Sequence, residues 1–258
     1  MAPSDAVPWQ SQLSPEAPEA LSAGRGILIL SSILLLWLVS IILRFAPPES
    51  VAAGLVWLAT LTGWFVLQIA VSRRHIPEKY LPYFSTLIQV AIPLVTTGLA
   101  AFLLPDFRNA VVGIATAISL AELSAIQILR LAAWGTIAKY QAQQLPKYFF
   151  LAGSVPDFLF AISAIVVTYV VLADAAALSK QSLILWSFSG IVVFFGAGAT
   201  MYFGVKNSRL GFRWKNVKTG IEPPTLLPFR WPMNLAPAFC VPLFILAHQL
   251  MIVRLIGF

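Results

Sequence analysis

Charge is what this sequence has least of. Only 10% of its 258 residues are Asp, Glu, Lys or Arg, against about 25% in a soluble domain. That shortage excludes a domain with an ordinary water-facing surface. Cysteine is almost missing: the single Cys240 excludes a disulfide framework and a cysteine-based metal cluster. The two histidines, His75 and His248, are too few for a multi-histidine metal site, so no metal and no cofactor are expected. What the chain has in quantity is apolar, with 59% hydrophobic residues and a mean hydropathy of +0.84. The class left is an integral membrane protein whose charges are confined to ends and loops.

The N-terminal stretch is rich in Pro, Ser and Ala, carries Asp5, Glu16 and Glu19, and shows no apolar period. Residues 1–25 therefore read as a disordered tail, and 26–258 as one transmembrane domain. The tail lacks the short basic region and the small-residue cleavage site of a secretory signal. A span needs ~20 apolar residues to cross ~30 Å of hydrocarbon, and seven runs meet that need: 26–43, 50–72, 81–104, 110–135, 148–173, 182–204 and 233–256. They are too long, and too uniformly apolar, for the alternating ~10-residue strands of a membrane barrel. In lipid, helices are then what satisfies the backbone. The expected fold is an all-α, polytopic transmembrane helical bundle of seven spans.

Orientation follows from the basic residues. The tail and the links after the second, fourth and sixth runs hold twelve Lys and Arg, whereas the opposite side holds Arg44, Arg108, Lys180 and Arg254. Positive charge stays inside, so the N-terminus is expected in the cytoplasm and the C-terminus outside. The long link 206–230 carries Lys206, Arg209, Arg213, Lys215, Lys218 and Arg230 against one acid, Glu222, with Phe212, Trp214 and Phe229 between them. Two readings stand. The link grips anionic lipid headgroups at ~1 kcal/mol per basic residue, or it only obeys the topology rule. Nucleic acid is not an expected partner of so small a membrane-tethered patch.

A charge at the bilayer centre costs ~2.5–3.5 kcal/mol on insertion scales, so it marks function or a buried pair. Three charged residues fall inside the runs: Glu122 and Arg130 in the fourth and Asp157 in the fifth. At 1.5 Å per residue, Glu122 lies roughly 20 Å, Asp157 roughly 15 Å and Arg130 roughly 9 Å from the cytoplasmic boundary. Gln127 is one turn from Arg130 on the same face, and His248 falls in the outer half of the seventh run. Gln127, Arg130 and Asp157 therefore form an expected cluster, either a substrate or proton site or an ion pair locking two helices. Glu122 either reaches Arg130 or stays protonated as a relay would. His248 cannot be half of a bis-histidine haem site, because His75 is in a loop. The absence of lysine from the seventh run excludes a retinal Schiff base.

Small residues form two expected packing ladders: Gly113, Ala117, Ala121 and Ala125 on the fourth run, and Gly196, Thr200 and Gly204 on the sixth. They serve the bundle itself, a homo-oligomer or another membrane protein. Pro93, Pro156, Pro237 and Pro242 are expected to kink their helices.

Gln127-Ile-Leu-Arg130, Leu145-Pro146, Gly153-x-x-Pro156-Asp157 and Ala236-Pro237-Ala238-Phe239-x-Val241-Pro242-Leu243 leading to His248 together resemble a family of uncharacterised bacterial multi-pass membrane proteins, over roughly 127–255. The resemblance implies a bacterial inner (cytoplasmic) membrane and no particular reaction. The sixth run departs from the family's Trp-Asn-x-x-Gly-x-x-Asp: Trp186 and Gly190 are kept, while Ser187 and Val193 replace the polar pair. No nucleophile–base or metal constellation suggests an enzyme. The expected function is a small transporter or ligand-binding membrane protein using Glu122, Gln127, Arg130, Asp157 and His248. Its rival is a non-catalytic accessory or scaffold subunit of a membrane complex. Whether those residues converge on an accessible site, or on a dry ion pair, separates the two.

Overall fold

The computed structural model describes residues 18–74, 85–203 and 231–257, which form helices and no strand. Eight elements follow in order. The first three are α1 (Pro18–Phe45), α2 (Val51–Arg73, after a 3-10 turn at Pro48–Ser50) and α3 (Ser85–Leu103). A short α4 (Pro105–Ala117) follows. Then come α5 (Leu120–Gln141), α6 (Lys147–Ala173), α7 (Lys180–Phe203) and α8 (Ala236–Ile256). Six of them are long and apolar enough to cross a membrane, and α3 with the bent-back α4 makes a seventh candidate. The basic link residues Lys206, Arg209, Arg213, Lys215, Lys218 and Arg230, and His75, lie outside the described residues.

Helix α1 begins at Pro18, eight positions before the apolar run and inside the stretch 1–25 read as a tail, the rest of which lies outside the described residues. Pro18 sits at a first-turn position that needs no N–H, and Glu19, Ala20, Leu21 and Ala23 are helix formers. The apolar run therefore extends its helix backwards.

The larger correction concerns the run 110–135, which is not one helix. Helix α4 ends at Ile118 and α5 begins after Ser119, both residues being extended (ψ 137° and 150°). Ser119 Oγ accepts the Glu122 N–H at 3.0 Å, a helix N-cap. Ser119-x-x-Glu122 is the capping-box spacing, set inside an apolar stretch. Pro105 opens α4 with Asp106 in its first turn, a charge the positive helix start favours. The α4 face Phe107, Ala110 and Ile114 is buried, at the i, i+3, i+7 spacing of an amphipathic helix. Helix α4 turns 112° away from Ile88–Leu103 and lies across one end of the bundle. The ladder Gly113–Ala125 is thereby divided between two helices. Gly113 instead admits the 46–50 turn, since a Cβ there would fall 2.4 Å from Pro47.

Contacts sort the ends of the helices. Arg44 meets Glu122 at 3.2 Å, and the Arg254 guanidinium donates to the Thr116 carbonyl; these lie with Pro47 and α4 at one end. Arg73 stacks on Trp231, 5.0 Å from its ring centre, at the other. Helix α8 is central, because 242–248 are buried without interruption, and a helix apolar on every face belongs in a core. It packs chiefly on α7, α4 and α3, while α5 packs along α6. Polar side chains tie neighbours together: Trp57 donates to Thr97 and Gln89 to Gln68, each at 3.2 Å, and Thr168 donates to Ser124 at 2.9 Å.

Two helices carry a wide, π-type turn just before a proline: Phe150–Ser154 before Pro156 in α6, and Ala236–Cys240 before Pro242 in α8. Pro242 has no N–H for the Ala238 carbonyl, and Trp64 of α2 donates to that oxygen instead at 2.8 Å. On α7, Gly196 rests against the Ala152 carbonyl of the other wide turn, where a Cβ would sit at 3.5 Å. The Trp64 donor satisfies the carbonyl that Pro242 leaves free, as a membrane interior requires, while Gly196 only allows α7 to approach the other turn closely.

Candidate functional site

Helix α5 changes its winding where the site lies. Ile126–Trp134 is a 3-10 segment between two α-helical ends. With three residues per turn, i and i+3 stand directly above one another. Gln127 and Arg130 therefore share the inward face and both are buried. Arg130 stands about midway along α5, ten residues from Leu120 and eleven from Gln141. Asp157, ten residues into α6, is level with it. The expected shallow position of Arg130 followed from the wrong helix boundaries.

The Arg130 side chain has no exposed surface. Its Nε donates to Asp157 Oδ1 at 2.6 Å. Its Nη1 donates to the Gly190 carbonyl of α7 at 3.3 Å and lies 3.4 Å from His248 Nε2 of α8. Phe160 and Phe194 hold the guanidinium by its faces, with ring centres 4.3 and 3.9 Å from Cζ. Such stacking contributes about 2 kcal/mol when desolvated. One arginine therefore links four helices. Asp157 is the less buried partner, with 22% of its side chain exposed.

The imidazole of His248 is set edge-on to Phe160 and Trp186, 5.4 and 5.5 Å between centres. A guanidinium can only donate, so Nε2 is the acceptor and the ring proton resides on Nδ1. Neither that Nδ1 nor Arg130 Nη2 has a hydrogen-bond partner among the described residues. Gln127 donates to the Phe244 carbonyl at 3.1 Å, one turn from His248, and its own amide oxygen has no partner among the described residues.

Of the five residues singled out from the sequence, Gln127, Arg130, Asp157 and His248 come together and Glu122 does not. Glu122 occupies the first turn of α5 and pairs with Arg44 at the bundle end. It lies at the start of its helix and pairs with Arg44 and not with Arg130, because the helix starts at Leu120 and not at 110. An exposed pair of this kind contributes about 0.2–1 kcal/mol. Glu122→Gln should accordingly move thermal unfolding little, by under about 1 kcal/mol; a large loss would place Glu122 in the core machinery after all.

No known protein family, curated protein or solved structure matches the chain. The site must therefore be read from its own atoms. Gly190, Trp186, Phe160 and Phe194 complete it, and charge counting could not find them. A signal was available. Trp186, Gly190 and Phe194 are spaced i, i+4, i+8 and so share one face of α7, with a notch between two rings. Ser187 turns to α8 and donates to Met251 Sδ at 3.0 Å. Among the described residues no three His, Cys, Asp or Glu side chains gather as metal ligands. The cluster can hold an acceptor group against Arg130 and exchange a proton at Asp157.

Proposed function

We propose that this chain is a seven-span membrane protein of a bacterial cytoplasmic membrane, N-terminus inside and C-terminus outside. In this reading it is a small transporter or ligand-binding protein, not an enzyme, and works at the Arg130–Asp157–His248 cluster. The orientation rests on the charge asymmetry: the end with Arg73 and Trp231 adjoins the basic links, and the end with Arg44 and Arg254 is the poor one.

One observation carries the functional reading. At membrane depth Arg130 Nη2 and His248 Nδ1 lack partners among the described residues, beside a carboxylate that remains 22% exposed. Each orphaned buried group costs about 1–3 kcal/mol. Other buried atoms, such as Trp37 Nε1 and both side-chain atoms of Asn234, also lack partners among the described residues, but only here do the open nitrogens belong to a charged pair and the histidine beside it.

Melting of the nanodisc-reconstituted protein with acetate, phosphate, ethylamine or glycerol tests this. A ligand at 100 times its Kd adds about 2.7 kcal/mol to the folded state. At least one of these classes should raise the wild-type Tm, and Arg130→Gln should abolish the rise. If none does, the cluster is a lock and the accessory-subunit reading replaces this one.

A further inference from the structure

We infer that the cluster takes a carboxylate monoanion together with one proton, the proton residing on Asp157. This rests on the ligand-binding reading above and names its chemistry.

Nε–H and one Nη2–H of a guanidinium point the same way and match the two oxygens of a single carboxylate. Asp157 occupies only the Nε position, and Nη2 beside it has no partner among the described residues. The edge built for a carboxylate is half-filled by the protein's own. Arg130 cannot turn to improve the fit, since Phe160 and Phe194 clamp its faces and Gly190 holds Nη1. Asp157 is the partner placed to yield, being partly exposed and just beyond the wide turn Phe150–Ser154 and Pro156. A ligand carboxylate displacing it closes both bonds, and the His248 Nδ1–H is the remaining buried donor of the cluster.

Charge then requires the proton. Two carboxylates beside one guanidinium would leave a net negative charge at hydrocarbon depth, which is strongly disfavoured. Protonation of Asp157 removes it. The exchange starts from ionised Asp157 paired with Arg130, a carboxylate anion and one proton from water. It ends with the neutral Asp157 acid and the anion paired with Arg130. One O–H bond forms, one ion pair replaces another, and the net charge is zero before and after. A phosphate dianion would require a second cation, and the cluster has one. The other titratable or charged groups on the described helices around Asp157 lie toward their ends: Glu122, Lys139 and Tyr140 on α5, Lys147, Tyr148 and Tyr169 on α6, Lys180 on α7, and Cys240 and Arg254 on α8. Exposed Trp134 packs at a tilt on Phe158, ring centres 5.1 Å apart, and Phe158 follows Asp157 in the chain. Exposed aromatic surface so near suits a carboxylate with a hydrocarbon part, whether soluble or carried in the lipid.

Calorimetric titration of the nanodisc-embedded protein with acetate, benzoate and dodecanoate, each in two buffers of different ionisation enthalpy, counts the protons. One proton per bound anion is expected, with affinity falling tenfold per pH unit as pH rises. Asp157→Asn should bind the anion with no proton uptake and no such pH dependence. Asp157→Glu, which keeps the titrating group should the first variant fail to fold, should take up one proton. Acetate or benzoate binding identifies a water-borne ligand; dodecanoate alone identifies a lipid-borne one. Wild-type binding without proton uptake overturns the inference, as does uptake that survives in Asp157→Asn, which would put the proton on the ligand. Stabilisation by ethylamine or glycerol with none by carboxylates overturns the inference and leaves the binding site standing, whereas no response to any probe removes both.

Discussion

Asp157→Asn is expected to destabilise the protein by about 3–5 kcal/mol, the cost of breaking a buried ion pair from one side. The asymmetry comes from Arg130. A guanidinium cannot shed its proton, and this one has no exposed surface, so loss of its counter-ion leaves an obligatory cation among Phe160 and Phe194. The double variant Arg130→Met with Asp157→Leu removes both charges and fills the space with apolar atoms. Such replacements are often neutral or stabilising, and most of the loss should return. Unfolding of reconstituted single and double variants gives the coupling directly. Added benzoate should also restore part of the Asp157→Asn stability, by supplying the missing anion. A single-variant loss below about 1 kcal/mol, the range of an exposed pair, would mean that the pair is not buried in the membrane-embedded protein.

Gly190→Ala is expected to cost about 1–3 kcal/mol, as overpacking of a filled core does, and to impair the site beyond that. The added Cβ would meet His248 Nε2 at 2.3 Å and Phe160 Cζ at 2.5 Å. Both are parts of rigid rings. Phe160 covers one face of Arg130, and His248 is hemmed by Trp186, so neither yields without moving the cluster. Gly198, two turns along the same helix, has open space around its Cβ position. Gly198→Ala should be neutral or gain up to about 1 kcal/mol from helix propensity. Equal losses in the two variants would show that α7 resists alanine everywhere, and that Gly190 is not a notch for the histidine.

Composition and hydropathy were enough to expect an all-helical chain with membrane-length helices, because the bilayer permits few other ways to satisfy a backbone. They misplaced the boundary that matters most. Apolar length cannot distinguish one helix over 110–135 from two helices meeting at Ile118–Ser119, since the residues around that junction, Ala115 to Ala121, carry no charge. The information was local: Ser119 and Glu122 at cap spacing. Missing it put Glu122 deep in a helix and Arg130 nearer its end, whereas Glu122 lies in the first turn of α5 and Arg130 about midway along it. Charge economy singled out Arg130 and Asp157, since burying them is costly enough to need a reason. The aromatic clamp and the Gly190 notch were not legible the same way, because Phe and Gly are ordinary in any membrane helix. Only packing gives them a role.

The position of α8 has a consequence for how the protein is made. Chains enter the membrane in order of synthesis, and individually stable helices assemble there afterwards. Here the latest of the described helices is the one in the middle. Until it arrives, α3, α4, α5 and α7 surround an axis with nothing in it. Arg130 then has Asp157 but no His248, and Gln127 and Trp64 face no carbonyl of Phe244 or Ala238. A ribosome that stalls before residue 231 leaves seven hydrophobic elements whose mutual contacts, the α5–α6 pair among them, lack the helix they surround. Surveillance proteases of the membrane would meet such a product as an unfinished shell, and quality control of this protein is effectively an inspection of one helix.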